Sequence, residues 1–124
     1  MICFDANVLI EIMLERKRVA ICRDYIDSVK EDVSITMLSL DLIMYYAKRN
    51  KLDLVAIEQF LRLFVWLPMA EADAEWAFAH FSNDDFEDAL QIACALREGC
   101  SRFVTLDGPL AKKYADIITV DLLR

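Results

Sequence analysis

The chain has 124 residues, 57% of them hydrophobic and 28% charged, which is enough for one domain with a full core and excludes a disordered protein. The formal net charge of −7 is opposite in sign to that of most nucleic-acid-binding proteins, so a nucleic-acid role would need basic residues gathered on one face. The sequence has neither a signal peptide nor an apolar stretch long enough to cross a membrane, so we expect residues 1–124 to form a single cytoplasmic domain.

Short apolar runs predict five strands, and longer runs with helical periodicity predict seven helices. In chain order, the predicted elements are the strand MICF, the helices NVLIEIMLERKR and VAICRDYIDSVK, the strand VSIT, the helices MLSLDLIMYYAKRN and DLVAIEQFLRL, the strand FVWLP, the helices EADAEWAFAHF and DDFEDALQIACALREG, the strand RFVTL, the helix GPLAKKYA and the strand IITV. We expect Asn7 to cap the first helix and Gly99 to close the sixth. The alternation predicts an α/β fold, in which a parallel sheet carries helices on both faces.

Several kinds of catalytic site are excluded by the composition. With only two glycines, the chain has neither a P-loop nor a G-x-G-x-x-G loop, and no nucleophile elbow surrounds a serine. Its single histidine, His80, lies at the end of a predicted helix, where a structural role suits it. The four cysteines form no C-x-x-C motif, and we interpret them as buried thiols.

Two aspartates directly follow predicted strands. Asp5 comes after MICF, and Asp107 comes after RFVTL. Ligands of parallel sheets bind outside the carboxyl ends of the strands, so both side chains are candidates for a site there. The alternatives are local: Asp5 would cap the next helix, and Asp107 would serve the turn before Gly108 and Pro109.

Three aspartates on predicted helices complete the set of candidates. Asp41 is the only charge between Asp32 and Lys48, so we expect a lone carboxylate in a buried helix, which needs a partner. Asp88 falls at the edge of the apolar face of its helix, and Asp85 projects further into that face. A separate polar stripe on the helix consists of Glu87, Gln91 and Glu98. For Asp85 and Asp88, a favourable interaction with the helix dipole is the alternative.

Carboxylates that converge at one sheet edge repel each other. Two of them about 4 Å apart repel by roughly 4 kcal/mol at an effective dielectric constant of 20, and a divalent cation removes that cost. All-oxygen ligands favour Mg²⁺ or Mn²⁺ over zinc. We therefore predict that Asp5 is a metal ligand.

The sequence resembles the PIN-domain nucleases. FDANVLI resembles their opening strand and Asp-x-Asn motif, SLDLIMYYAKR their second acidic position, and DFEDALQIACALREGCSRFVTLD their third acidic helix and Thr-x-Asp motif. The resemblance implies a three-layer domain with the strand order 3-2-1-4-5 and a metal-dependent ribonuclease, often a VapC-like toxin held inactive by an antitoxin. The matching acidic residues are Asp5, Asp41, Asp88 and Asp107, with Asn7 and Thr105 as supporting polar residues. Asp41 stands where the family usually has Glu, which shortens the reach by about one methylene.

Three functions stay open at this point. In the first, an ion held by Asp5, Asp88 and Asp107 activates water for RNA hydrolysis, and Asp41 holds a second ion or orients the water. The basic helix ends at 16–18 and 48–49 bind phosphates under this hypothesis, or are simply solvated cations. In the second, the PIN fold is inactive and serves as a binding or dimer scaffold. In the third, the chain is an Mg²⁺-binding receiver domain, although it lacks the acidic pair after the first strand, the phosphoacceptor Asp after a middle strand and the late lysine of that class.

The apolar content also indicates a partner. The predicted helices NVLIEIMLERKR and VAICRDYIDSVK and the segment LIMYYAKR carry more apolar surface than one small sheet needs, and the mean hydropathy is +0.30. We therefore predict a two-fold homodimer that uses this helical surface. A monomer with deeply buried helices is the alternative.

Overall fold

The computed structural model describes all 124 residues, and its centre is a five-stranded parallel sheet. The strands are β1 (Ile2–Phe4), β2 (Val33–Thr36), β3 (Val65–Leu67), β4 (Arg102–Thr105) and β5 (Thr119–Leu122). Their order is β3-β2-β1-β4-β5, so the order 3-2-1-4-5 is confirmed. It differs from the order 2-1-3-4-5 of receiver domains, so the receiver alternative is wrong.

Seven helices connect the strands, and all twelve predicted elements are present in the predicted order. The helices are α1 (Ala6–Met13), α2 (Val19–Ser28), α3 (Met37–Arg49), α4 (Leu54–Leu61), α5 (Glu71–His80), α6 (Phe86–Arg97) and α7 (Gly108–Tyr114). β5 begins two residues later than predicted. No helix combines the length and the apolar character that a membrane span requires.

The first helix is shorter than its sequence pattern predicts. It ends at Met13, because Glu15 adopts a left-handed backbone conformation with φ of 49°. The N-cap position is occupied by Asp5 and not by the predicted Asn7, and the Asp5 side chain makes no capping hydrogen bond. Gly99 has the left-handed φ of 77° that closes α6 as predicted.

The apolar residues of α1 belong to the core. Five of its hydrophobic residues, from Ala6 to Ile12, are buried, so the prediction that this helix contributes excess apolar surface is wrong. The large exposed hydrophobic side chains lie elsewhere, mainly on α3, α4 and the neighbouring segments and near the end of α5: Ile21, Met37, Tyr45, Leu54, Val55, Leu63, Val65, Phe78, Phe81 and Ile117.

The sheet places the end of β1 beside the end of β4. In the parallel register, Phe4 pairs with Val104, and the Asp5 amide donates to the Val104 carbonyl at 2.8 Å. Because β1 is the central strand, the residue after it is covered on both sides by the loops that follow its neighbours. The sheet therefore brings the Asp5 side chain next to the segment that contains Thr105 and Asp107.

Candidate active site

Asp5 is a buried carboxylate held by neutral donors. Its side chain is only 6% exposed. Oδ2 accepts a hydrogen bond from the Thr105 hydroxyl at 2.8 Å, and Oδ1 accepts one from Nε2 of Gln91 at 3.4 Å. Neither donor carries a charge, so the negative charge of Asp5 has no cationic partner within salt-bridge distance.

The Thr105 hydroxyl connects β1 with the loop after β4. It donates to Asp5 and accepts from the Asp107 amide at 3.0 Å and from Nδ2 of Asn7 at 3.3 Å. Oδ1 of Asn7 in turn accepts from the Leu106 amide at 3.2 Å. Asn7 and Thr105 therefore fix the position of Asp107 relative to Asp5.

Asp5, Asp88 and Asp107 line one cleft with a volume of about 200 Å³. Asp88 lies in the first turn of α6 and is half-buried, and Asp107 is the N-cap of α7, where its Oδ1 accepts from the Leu110 amide at 3.1 Å. The alternative prediction for Asp107 was a turn residue; the structure makes it a helix N-cap, and this local role coexists with its place in the cleft. Three of the four predicted acidic positions are together at the carboxyl edge of the sheet.

The electrostatics of the cleft are those of crowded, partly desolvated carboxylates. Burial raises the pKa of Asp5 to about 6, against the opposing hydrogen bonds from Thr105 and Gln91. Burial, together with the charges of Asp5 and Asp107, raises the pKa of Asp88 to about 7. Both raised pKa values show that ionising these carboxyl groups costs free energy in the cleft, and a bound cation would lower that cost.

Asp41 lies outside this cleft. The expectation of a buried lone carboxylate is wrong, because the side chain is exposed to solvent. Helix α3 instead turns Leu42 and Tyr46, one turn apart, toward the cleft. His80 is also remote from the cleft: its ring stacks on Trp76 with centroids 3.8 Å apart, and its Nδ1 lies 2.8 Å from the Trp76 carbonyl oxygen.

Asp85 is engaged by a cation and does not line the cleft of Asp5. It forms an ion pair with Lys113, and it accepts hydrogen bonds from the Ser82 amide at 2.6 Å and the Tyr114 hydroxyl at 3.2 Å. Burial acts to raise the pKa of Asp85, but these hydrogen bonds and the Lys113 charge outweigh it and hold the pKa below its usual range. Asp85 lines an adjacent depression of about 350 Å³, which shares Asp88 and Asp107 with the cleft.

Two residues of the predicted polar stripe on α6 face the cleft. Glu87 and Gln91 both line it, and Gln91 is only 1% exposed. The Ser39 hydroxyl donates to Oε1 of Gln91 at 2.7 Å, which directs the amide nitrogen of Gln91 toward Asp5. The stripe was a usable signal, since Gln91 lies one turn beyond Asp88, but the sequence alone does not tell whether it faces solvent or a cleft.

The donors of the cleft suit a hard divalent cation. Asp5, Asp88 and Asp107 offer carboxylate oxygens without cationic partners, which is the chemistry that Mg²⁺ and Mn²⁺ select. No three acidic, histidine or cysteine side chains stand in a closed ligand cluster. The carboxylates therefore line an open cleft and do not form a closed ligand cage.

Comparisons with known proteins agree with this architecture. The family model described as PIN domain matches residues 2–116. A toxin–antitoxin complex from Klebsiella pneumoniae has a similar structure, with a TM-score of 0.79, 19% identity and coverage of 98% of this chain and 96% of that chain. No curated protein matches the sequence significantly.

Two further structures share the fold. VapC20 from Mycobacterium tuberculosis, described as a sarcin-ricin loop cleaving toxin, has a TM-score of 0.75 and 15% identity, with coverage of 90% of this chain and 94% of that chain. FitAcB from Neisseria gonorrhoeae has a TM-score of 0.74 and 22% identity, with coverage of 97% and 96%. At these identities the likeness concerns the fold, whereas the family match spans nearly the whole sequence: the chain belongs to the PIN domain family.

Proposed function

We propose that the protein is a metal-dependent endoribonuclease. PIN domains are generally nucleases, which sets the class of reaction. The observation that carries the proposal is the cleft in which Asp5, Asp88 and Asp107 meet without a cationic partner. A structural role offers no reason to gather three carboxylates at a cost in stability, whereas a site that binds a cation and a phosphodiester does.

The proposed roles follow from the positions of the side chains. Asp5, Asp88 and Asp107 would hold Mg²⁺ or Mn²⁺, with Asp5 as the most rigid of the three because Thr105 and Gln91 fix both of its oxygens. A bound ion of this kind polarises a phosphodiester and lowers the pKa of water. The overall reaction is hydrolysis of an RNA phosphodiester to 5′-phosphate and 3′-hydroxyl ends.

The supporting residues act at a distance from the substrate. Asn7 and Thr105 keep the loop that carries Asp107 against Asp5. Asp85 holds Lys113 beside the neighbouring depression. For Asp41 we propose a minor role at the rim, because it is exposed and only the adjacent Leu42 lines the cleft.

The biological setting proposed is that of a toxin in a toxin–antitoxin pair, located in the cytoplasm. Two of the structurally similar proteins are described as a toxin–antitoxin complex and as an RNA-cleaving toxin. We propose an antitoxin protein as partner and a homodimer as the assembly. The exposed side chains of Met37, Tyr45, Leu54 and Val55 on α3 and α4 supply apolar surface for such contacts.

The experiment that tests the activity is a Mn²⁺ titration of RNA cleavage. Wild type should cleave only when metal is present, Asp88→Asn should lose most of the activity, and Asp41→Ala should keep most of it. Fluorescently labelled single-stranded RNA and denaturing gels give the readout. Wild-type protein that binds RNA but never cleaves it would favour the inactive-scaffold alternative instead.

A further inference from the structure

A basic turn follows α1 and adjoins the acidic cleft. We call residues 16–18 the basic turn; together with Glu11, Arg16, Lys17 and Arg18 line a shallow depression of about 500 Å³. Arg16 also lines the cleft that contains Asp5. The depression and the cleft therefore meet at one side chain, that of Arg16.

The basic turn is held in place by a buried carboxylate. Glu11 is only 6% exposed, and its Oε2 accepts from the Arg18 amide at 2.8 Å, while its carbonyl oxygen accepts from the Arg16 amide at 3.0 Å. On the other side, Nη1 of Arg18 donates to the Leu106 carbonyl at 3.3 Å, one residue before Asp107. These bonds fix the turn relative to both α1 and the loop that supplies Asp107.

Two of the three cations in the turn have no partner within the protein. Arg18 forms an ion pair with Glu11, whereas the side chains of Arg16 and Lys17 form neither an ion pair nor a hydrogen bond. Both are exposed. In a chain with a net charge of −7, cations that stay unpaired beside a carboxylate cleft are available to an anionic ligand.

We propose that Arg16 and Lys17 bind RNA phosphates next to the scissile one, which makes the basic turn a phosphate subsite. This inference rests on the proposed ribonuclease function. The carboxylates of the cleft repel an incoming nucleic-acid strand, and Arg16 offsets that repulsion at the point of entry. Its planar guanidinium donates two parallel hydrogen bonds to a phosphate, and Lys17 adds a second charge along the backbone.

The lining of the depression indicates which part of RNA it contacts. All four of its residues are charged, and none is aromatic or aliphatic. A surface of this kind offers no platform on which a base stacks, so it recognises the backbone and tolerates any sequence. The basic turn therefore contributes affinity and register, and base preference arises elsewhere.

The first test measures RNA binding without cleavage. With Asp88→Asn as the parent and a labelled single-stranded RNA as the probe, Arg16→Ala should weaken binding about tenfold, and Arg16→Lys should restore part of it. The slope of log affinity against log salt should decrease by about 0.7 for each phosphate that the variant no longer neutralises. Lys112→Ala is the charge-matched control for Lys17→Ala, because Lys112 is exposed, forms no ion pair and lines neither the cleft nor the depression.

The second test measures cleavage in the wild-type background. Arg16→Ala should raise KM with little change in kcat, because the interaction is made equally in the ground state and the transition state. If wild type cleaves RNA and Arg16→Ala matches Lys112→Ala in both KM and RNA affinity, the subsite is refuted while the nuclease function stands. If wild type neither binds nor cleaves RNA, both proposals are refuted. If Arg16→Ala weakens binding of an acidic peptide but leaves RNA binding unchanged, the turn belongs to a protein partner and the RNA subsite is refuted.

Discussion

Two buried aspartates of this protein have opposite surroundings. Asp73, on α5, is 1% exposed and is met by the guanidinium of Arg97, with Nε 2.8 Å from Oδ1 and Nη2 3.1 Å from Oδ2. The Ala70 amide donates a third hydrogen bond to it at 2.8 Å. Asp5 is 6% exposed and receives hydrogen bonds only from uncharged groups, among them the side chains of Thr105 and Gln91.

The difference separates a structural carboxylate from one that we propose to be functional. Burial of a charge is costly wherever it occurs, and a partner of opposite charge offsets the cost. Asp73 has such a partner in Arg97, and Asp5 has none. Burial therefore raises the pKa of Asp5 to about 6. In this protein, the absence of an internal cation marks the candidate site more clearly than burial does.

The largest effect should come from neutralising Asp5. Asp5→Asn removes a charged ligand from the cleft but keeps an oxygen that accepts the Thr105 hydrogen bond, so kcat should fall by about 1,000-fold or more. The metal-free variant should be as stable as wild type or more stable, since a repulsive charge is gone. Single-turnover cleavage in saturating Mn²⁺, combined with thermal melting, measures both. Wild-type turnover by Asp5→Asn would contradict the assignment of Asp5 as a ligand.

The matching change at the other aspartate should affect stability and not turnover. Asp73→Asn leaves the Arg97 guanidinium without its carboxylate, and we expect a loss of about 2–3 kcal/mol, near the low end for broken buried pairs because Arg97 is partly exposed. That corresponds to a decrease in Tm of about 10 °C. Denaturant unfolding measures the loss, and kcat assayed well below Tm should stay unchanged. A large loss of kcat without loss of stability would break the distinction between the two sites.

The smallest expected effect is the dependence of stability on pH and on bound metal. Asp5 and Asp88 have folded-state pKa values raised to about 6 and about 7, above the unfolded value of about 3.9, so the folded protein binds protons that the unfolded chain releases. The stability of metal-free protein should therefore decrease as the pH rises from about 4 to about 7. After allowance for solvent screening at the half-buried Asp88, we expect the free energy of unfolding to fall by about 2 kcal/mol, or roughly 7 °C in Tm.

Two controls define the origin of that pH dependence. Asp88→Asn should reduce it, because only Asp5 of the two groups with raised pKa values still titrates. Millimolar Mg²⁺ or Mn²⁺ should raise Tm at pH 8 more than at pH 5, since protons and metal compete for the same oxygens. Equal metal stabilisation at both pH values, or no stabilisation at all, would argue against a carboxylate metal site.

The fold could be predicted from the sequence because the local hydrophobic patterns all indicated the same alternation of strands and helices. Short apolar strands alternated with helices, and residues after parallel strands necessarily meet at one sheet edge. That rule placed Asp5 beside Asp107 without knowledge of any contact. The Asp88 position followed from the apolar face of α6, which packs on the sheet.

The rest of the site depended on information that the sequence does not carry. Successive helical residues differ by about 100° in direction, so the rotation of α3 about its axis decides whether Asp41 or the neighbouring Leu42 faces the cleft, and the sequence does not fix that rotation. Asp73 and Arg97 lie 24 residues apart on two different helices, and no local sequence pattern predicts that they form an ion pair. The orientation of Gln91 likewise follows from the packing of α3 against α6, where Ser39 reaches its amide.

The hydrogen bonds around Thr105 have a direction. The Asp107 amide and Nδ2 of Asn7 can only donate, so both acceptor positions of the hydroxyl are filled and its proton is committed to Asp5. Ser39 orients Gln91 in the same way, so two chains of donors converge on Asp5 and none leads away from it. Both of these hydrogen bonds thus point toward the Asp5 carboxylate. The network contains no acceptor to which Asp5 could pass a proton through the protein.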